Sequence, residues 1–222
     1  MIERQQASFL SAQEQRLLHA ITLHLPGWFT PDRLTALGVL GAVLVLVGFV
    51  TSAWWIESLW LAIFGLIVNW FGDSLDGTVA RARRIERPNY GFFLDQTIDV
   101  VSNLLIALGV GFSTWCRMDT ALLMLTAYHM LSILTFVRSV VTRQFHVDVG
   151  GLGPTEMRIA IAAMAMGIML FGAPKMMIWG VPVTWCDLLV GGTALALIGL
   201  FLVEFAREAR AQLERDRTAL RD

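Results

Sequence analysis

Residues Asn69–Asp99 read NWFGDSLDGTVARARRIERPNYGFFLDQTID, and this stretch decides the fold. It begins in an apolar run and returns to one, yet it carries Asp73, Asp76, Asp95 and Asp99. An ionised side chain inside a membrane span costs roughly 2.5–3.5 kcal/mol on insertion scales, so four together call for a reason. On a helix turning about 100° per residue, Asp76 lies about 60° to one side of Asp73, Gly77 about 40° to the other, and Ala80 about 20° away. Gly91, Asp95 and Asp99 step by four and also share a face. With a short loop between them, the two helices are antiparallel neighbours whose acidic faces meet. Carboxylates so placed repel unless a positive group sits between them. Nearby arginines are one such group, but Arg81, Arg83, Arg84 and Arg87 lie beyond the cluster. Oxygen ligands without His or Cys favour hard divalent ions, Mg²⁺ or Mn²⁺, with Ca²⁺ a further choice. Four aspartates have capacity for two ions, and two ions clamp a phosphoryl centre during an in-line displacement. Gly77, Ala80 and Gly91 leave room for a ligand beside them.

Outward from this stretch the chain is 56% hydrophobic over 222 residues, above the usual globular share. Runs long enough to cross a bilayer core, about 20 residues each, fall at Leu34–Ala53, Trp55–Gly72, Phe92–Phe112, Ala121–Val141, Pro154–Ala173 and Trp185–Phe205. The expected fold class is therefore all-α: a polytopic membrane protein with six transmembrane helices. Pro154 and Pro182 are read as helix starts. Before the first span, Ser8–Leu25 places Phe9, Leu17, Leu18, Ile21 and Leu25 at near-helical spacing, with Gln13, Glu14 and Arg16 off that face. This fits an N-terminal interfacial amphipathic helix, and fits equally a short helix packed on the rest of the protein. Met1–His24 is too polar for a cleavable signal peptide. One domain is expected over 1–222, with the interfacial helix in 1–29, the bundle in 30–205 and a tail in 206–222.

Arg and Lys in the flanks set the orientation. Both termini, the second loop (Arg81, Arg83, Arg84, Arg87) and the fourth loop region (Arg138, Arg143, Arg158) carry nearly all of them; the other loops hold only Arg117 and Lys175. Both termini and the acidic cluster are thus expected on the cytoplasmic side of a bacterial-type inner membrane. Trp54, Trp55, Trp115, Trp179 and Trp185 mark the opposite interface as an aromatic belt. Cys116 and Cys186 lie near that outer face and are read as unpaired thiols, a disulfide remaining open. No basic stripe with exposed aromatics points to nucleic acid as a partner.

The pattern Asp73-x2-Asp76-Gly77-x2-Ala80-Arg81-x9-Gly91-x3-Asp95-x3-Asp99 resembles the signature of the CDP-alcohol phosphotransferase (CDP-alcohol phosphatidyltransferase) family. The resemblance implies a metal-dependent enzyme of phospholipid biosynthesis, a transferase that moves a phosphatidyl or phospho-alcohol group from a CDP-linked donor, with CDP-diacylglycerol favoured, to an alcohol, releasing CMP. It implies Asp73, Asp76 and Asp95 as metal ligands and Asp99 as ligand and catalytic base, holding Mg²⁺ or Mn²⁺, two ions. Gly77, Ala80, Arg81 and Gly91 would hold the CDP moiety. Thr30–Thr35 resembles the stretch that opens the family's first span, which brings Asp32 and Thr35 to the donor. Gly153-Pro154-Thr155-Glu156 resembles a segment of choline and ethanolamine phosphotransferases, and serves equally as a helix start. The family also implies a homodimer, a CDP-linked lipid donor, membrane lipids, and a small alcohol or phospho-alcohol acceptor as partners. Arg138 and Arg158, at facing ends of consecutive helices, are candidates for a phosphorylated acceptor; His146 and Asp148 are further candidates. The competing class is a divalent-cation transporter or channel using the same acidic cluster, which asks for carboxylates at the midplane or in rings along a pore.

Overall fold

The computed structural model describes residues 11–142 and 153–219. Seven helices run in chain order: α1 (Ser11–His24), α2 (Pro31–Thr51), α3 (Leu59–Ala82), α4 (Pro88–Phe112), α5 (Met118–Thr142), α6 (Pro154–Phe171) and α7 (Trp185–Ala219). The six from α2 to α7 are long and apolar enough to span a membrane, so the all-α polytopic fold stands. Pro31, Pro88 and Pro154 open α2, α4 and α6, where a missing N–H is no loss. Thr30 caps α2, its hydroxyl accepting from the Arg33 N–H.

Helix ends outrun the apolar stretches. The second span continues ten residues past Gly72, through Asp73 and Asp76 to Ala82. The last runs unbroken to Ala219, through residues expected as a tail. Hydropathy marks only the lipid-facing length, whereas the backbone hydrogen bonds extend wherever no breaker intervenes. Pro182 is not a helix start. It lies in a hairpin, β1 (Met176–Ile178) with β2 (Val181–Val183), where it opposes Met177. Trp179 and Gly180 turn the hairpin with φ of 49° and 78°, the left-handed pair that a two-residue turn requires.

The bundle is built around the α2–α3 crossing. Lipid tails are as apolar as leucine, so helices associate through close packing rather than hydrophobic exclusion. Here the approach is backbone to backbone: a Cβ on Gly41 would lie 2.7 Å from the Gly65 carbonyl oxygen, and one on Gly65 2.7 Å from that of Gly41. Val45, Phe49, Leu59 and Ala62 fill the rest of that contact and join Ile168 and Cys186 in the main core. α4 lies on α2, α6 on α3, and α5 pairs with both α4 and α7, the last through Leu131, Ala194 and Leu197.

α1 packs on α3. Leu18 is buried against Leu34, Leu75 and Val79, while Leu17 and Leu23 stay exposed. Arg83, expected simply to mark the cytoplasmic side, reaches back from α3 and donates to the carbonyls of Leu25, Pro26 and Phe29 at 2.6–3.0 Å, just past the end of α1. At the other end Trp54, Trp55 and Trp179 are exposed as a belt would be. Trp115 and Trp185 instead turn inward, donating to the Ser52 hydroxyl and the Gly172 carbonyl. Cys116 and Cys186 are free, buried thiols in the same core.

Candidate active site

α3 and α4 bring their acidic faces together as the spacing predicts. Asp73, Asp95 and Asp99 each turn a carboxylate oxygen to one point, all within 4.8 Å of one another. They share a recess of about 10 Å³, room for one water-sized sphere, with Asp76, Thr35, Asn69 and Ser102. Asp76 faces this recess from the α2 side. Its Oδ2 accepts from the Thr35 hydroxyl at 2.7 Å and its Oδ1 from the Gly77 N–H at 2.5 Å. Thr35, expected at the donor, is therefore the residue that orients the second aspartate of the motif. The glycine-lined α2–α3 contact is what lets so short a side chain reach across.

The cluster has a cation that the spacing gave no reason to expect there. Arg158 enters from α6 and donates from Nη2 to Asp73 Oδ2 at 2.6 Å and from Nε to Asn69 Oδ1 at 2.7 Å. Both ion-pair partners are largely buried, at 12% and 22% exposure. Asn69 is buried and also donates to the Gly38 carbonyl at 2.9 Å, so one amide joins α2, α3 and α6. Sequence reasoning passed over Asn69; a lone amide four residues, one helical turn, before the first aspartate was the available signal.

The other candidates fall around this centre. Arg81 folds back over the open face of Gly77, where a Cβ would meet its Nη1 at 3.2 Å. Ala80 is half-buried on the same helix. Gly91 is exposed, with nothing within 4 Å of where its Cβ would stand. Asp32, at the exposed start of α2, is held by Arg87, whose guanidinium lies 4.5 Å over the Tyr90 ring. Arg138 is not brought to Arg158: it pairs with Glu208 of α7 at 3.0 Å, while Arg158 is committed to α3. Arg143, His146 and Asp148 lie outside the described residues.

Three carboxylate oxygens converging without nitrogen or sulfur suit a hard divalent cation, and the donor set present fits Mg²⁺ or Mn²⁺. Fold and site together define an integral membrane protein with a half-buried carboxylate centre, flanked by small residues and met by Arg158.

The chain belongs to the CDP-alcohol phosphatidyltransferase family, whose model matches residues 28–202. It is 35% identical over 103 residues to an archaetidylinositol phosphate synthase of Pyrococcus horikoshii, covering 46% of this chain and 52% of that protein. It is 36% identical over 81 residues to a phosphatidylinositol phosphate synthase of Cutibacterium acnes, covering 36% and 37%. An uncharacterised protein of Aquifex aeolicus is 30% identical over 149 residues, covering 66% and 71%. The chain thus spans about half the length, or less, of the two relatives with a named activity.

Proposed function

We propose that this protein is a divalent-metal-dependent CDP-alcohol phosphatidyltransferase that moves a phosphatidyl group from CDP-diacylglycerol to a phosphorylated alcohol and releases CMP. The convergence of Asp73, Asp95 and Asp99 on one point, with Asp76 facing the same recess, carries this reading. Asp73, Asp95 and Asp99 would hold Mg²⁺ or Mn²⁺, which would supply charge neutralisation at the donor pyrophosphate; Asp76 would give the site capacity for a second ion. Asp99 takes the proton of the acceptor hydroxyl. The hydroxyl oxygen bonds to the lipid-bearing phosphorus, the bond from that phosphorus to the CMP oxygen breaks, and CMP leaves with the electron pair. Arg81, beside Gly77, is placed to pair with a donor phosphate in bidentate fashion. Asp32 and Thr35 belong to the donor side, and Gly77, Ala80 and Gly91 leave the nucleotide room.

A phosphorylated acceptor is favoured for two reasons. Arg158 is a fixed guanidinium at the carboxylates, suited to a phosphate monoester. The two relatives with an assigned activity are named as an archaetidylinositol phosphate synthase and a phosphatidylinositol phosphate synthase. Arg138 belongs to the acceptor side on this reading, once released from Glu208. The enzyme sits in the inner membrane as a homodimer, with site and termini cytoplasmic, so that a lipid donor keeps its chains in the bilayer while a soluble acceptor reaches the same centre. The test is CMP release by purified protein in lipid, with CDP-diacylglycerol, Mg²⁺ and a panel of serine, glycerol 3-phosphate, inositol phosphate, choline and ethanolamine. Release with a phosphorylated acceptor is expected. No release with any acceptor would refute the activity, and release only with choline or ethanolamine would refute the acceptor class.

A further inference from the structure

The sequence places Glu14 off the apolar face of α1. Its Oε1 accepts three hydrogen bonds from two other helices. The Trp70 indole N–H donates at 2.6 Å, the Thr155 hydroxyl at 2.9 Å and the Ser74 hydroxyl, more weakly, at 3.4 Å. Trp70 and Ser74 belong to α3, Thr155 to the first turn of α6. Each donor is a near neighbour in sequence of a group in the carboxylate centre. Trp70 follows Asn69, Ser74 follows Asp73, and Thr155 lies one helical turn before Arg158. α3 and α6 are therefore joined by two parallel ties. One is direct, from Arg158 to Asn69 and Asp73. The other runs through the Glu14 carboxylate.

The second tie stands on a firm base. α1 is fixed to α3 by Leu18 in the Leu34–Leu75–Val79 cluster and, at its far end, by Arg83 on the carbonyls that follow it. Losing Glu14 removes the charged acceptor that an indole N–H and two hydroxyls share at the α3–α6 contact. Thr155 then loses its link to α3, and the bonds of Arg158 to Asn69 and Asp73 are left to set the height of the first turn of α6 without it.

We infer that Glu14 is a positioning residue of the site, whose carboxylate holds the start of α6 against α3 so that Arg158 meets Asp73. The inference rests on the proposed role of Arg158 at the acceptor for its kinetic consequence, but not for its structural one. Glu14→Ala should raise the acceptor KM about tenfold and leave kcat and the donor KM within about twofold. Glu14→Gln keeps an acceptor oxygen in place, so it should restore the acceptor KM to within about twofold of the native value. A stability cycle, read in chelator, is independent of activity. Glu14→Ala is combined with Arg158→Gln and, separately, with Thr155→Val, which keeps the shape of α6 if the arginine variant fails to fold. The Tm shifts of each double variant should fall short of additive by at least about 2 °C. Additive shifts in both cycles would overturn the inference. So would a Glu14→Gln variant as impaired as Glu14→Ala, or equal effects on both KM values. A native protein that releases no CMP would refute the proposed function instead, and the cycles would still decide Glu14.

Discussion

Asp99→Asn should make the protein more stable and nearly inactive, two effects of opposite sign from one atom pair. The oxygens of Asp73, Asp95 and Asp99 lie within 4.8 Å of one another. At that separation and an effective dielectric of about 20, two full charges repel by about 3.5 kcal/mol. Arg158 offsets part of this through Asp73, and shared protons offset more. Relief of about 1 kcal/mol is therefore the reasonable expectation, a rise in Tm of about 2–4 °C for a chain of this length. Asn keeps the shape but cannot take a proton, so CMP release should fall about 10²- to 10⁴-fold. The Tm gain on adding Mg²⁺ should shrink as well, since one ligand is weakened. Thermal unfolding in matched EDTA and Mg²⁺ buffers, with a CMP assay on the same preparations, measures all three. If Asp99 were half of a structural ion pair, its loss would lower the Tm in EDTA. That result, or CMP release within about threefold of native, would refute the reasoning.

Chelation should silence the enzyme, with Mg²⁺ or Mn²⁺ restoring CMP release and Zn²⁺ restoring little, since the converging donors are carboxylates alone; activity undiminished in EDTA would rule out the metal centre. Gly77→Leu should weaken donor binding at least about tenfold while moving the Tm little, because a Cβ there meets only the tip of Arg81; calorimetry with a CDP-linked donor checks it, and unchanged affinity would assign Gly77 to helix packing. Arg158→Ala should raise the KM of a phosphorylated acceptor more than that of the donor. Arg138→Ala should do the same more weakly, since it sits with Glu208; equal effects on both substrates in two-substrate kinetics would leave these arginines as structural partners of Asp73 and Glu208.

The carboxylate centre was legible because it is local. Asp73 to Asp99 sit on two consecutive helices, and helical periodicity alone turns their faces together. What lay outside that reach came from distant sequence. Arg158 joins Asp73 across 85 positions, and Glu14 reaches Thr155 across 141. Nothing in either's neighbourhood distinguishes it from a positive-inside arginine or a solvated glutamate. Thr35 was found by its motif, but its partner was not, since the bond to Asp76 depends on how closely the glycines of α2 and α3 allow those helices to approach. The hairpin was missed because Pro182 reads equally as a helix start or an edge-strand residue, and only the Trp179-Gly180 turn decides between them.

The ion pair between Asp73 and Arg158 also has a place in time. All four aspartates are threaded through the ribosome before the arginine exists. At synthesis rates of about 5–20 residues per second, the roughly sixty positions between Asp99 and Arg158 leave the nascent centre without that counter-charge for several seconds. During that interval α2, on which both α3 and α4 pack, is already made. Protons or divalent ions from the surrounding solution are the charges at hand to let the two acidic faces close. The arginine is thus the last charge to join the centre, and chelator present during synthesis should reduce assembly as well as turnover.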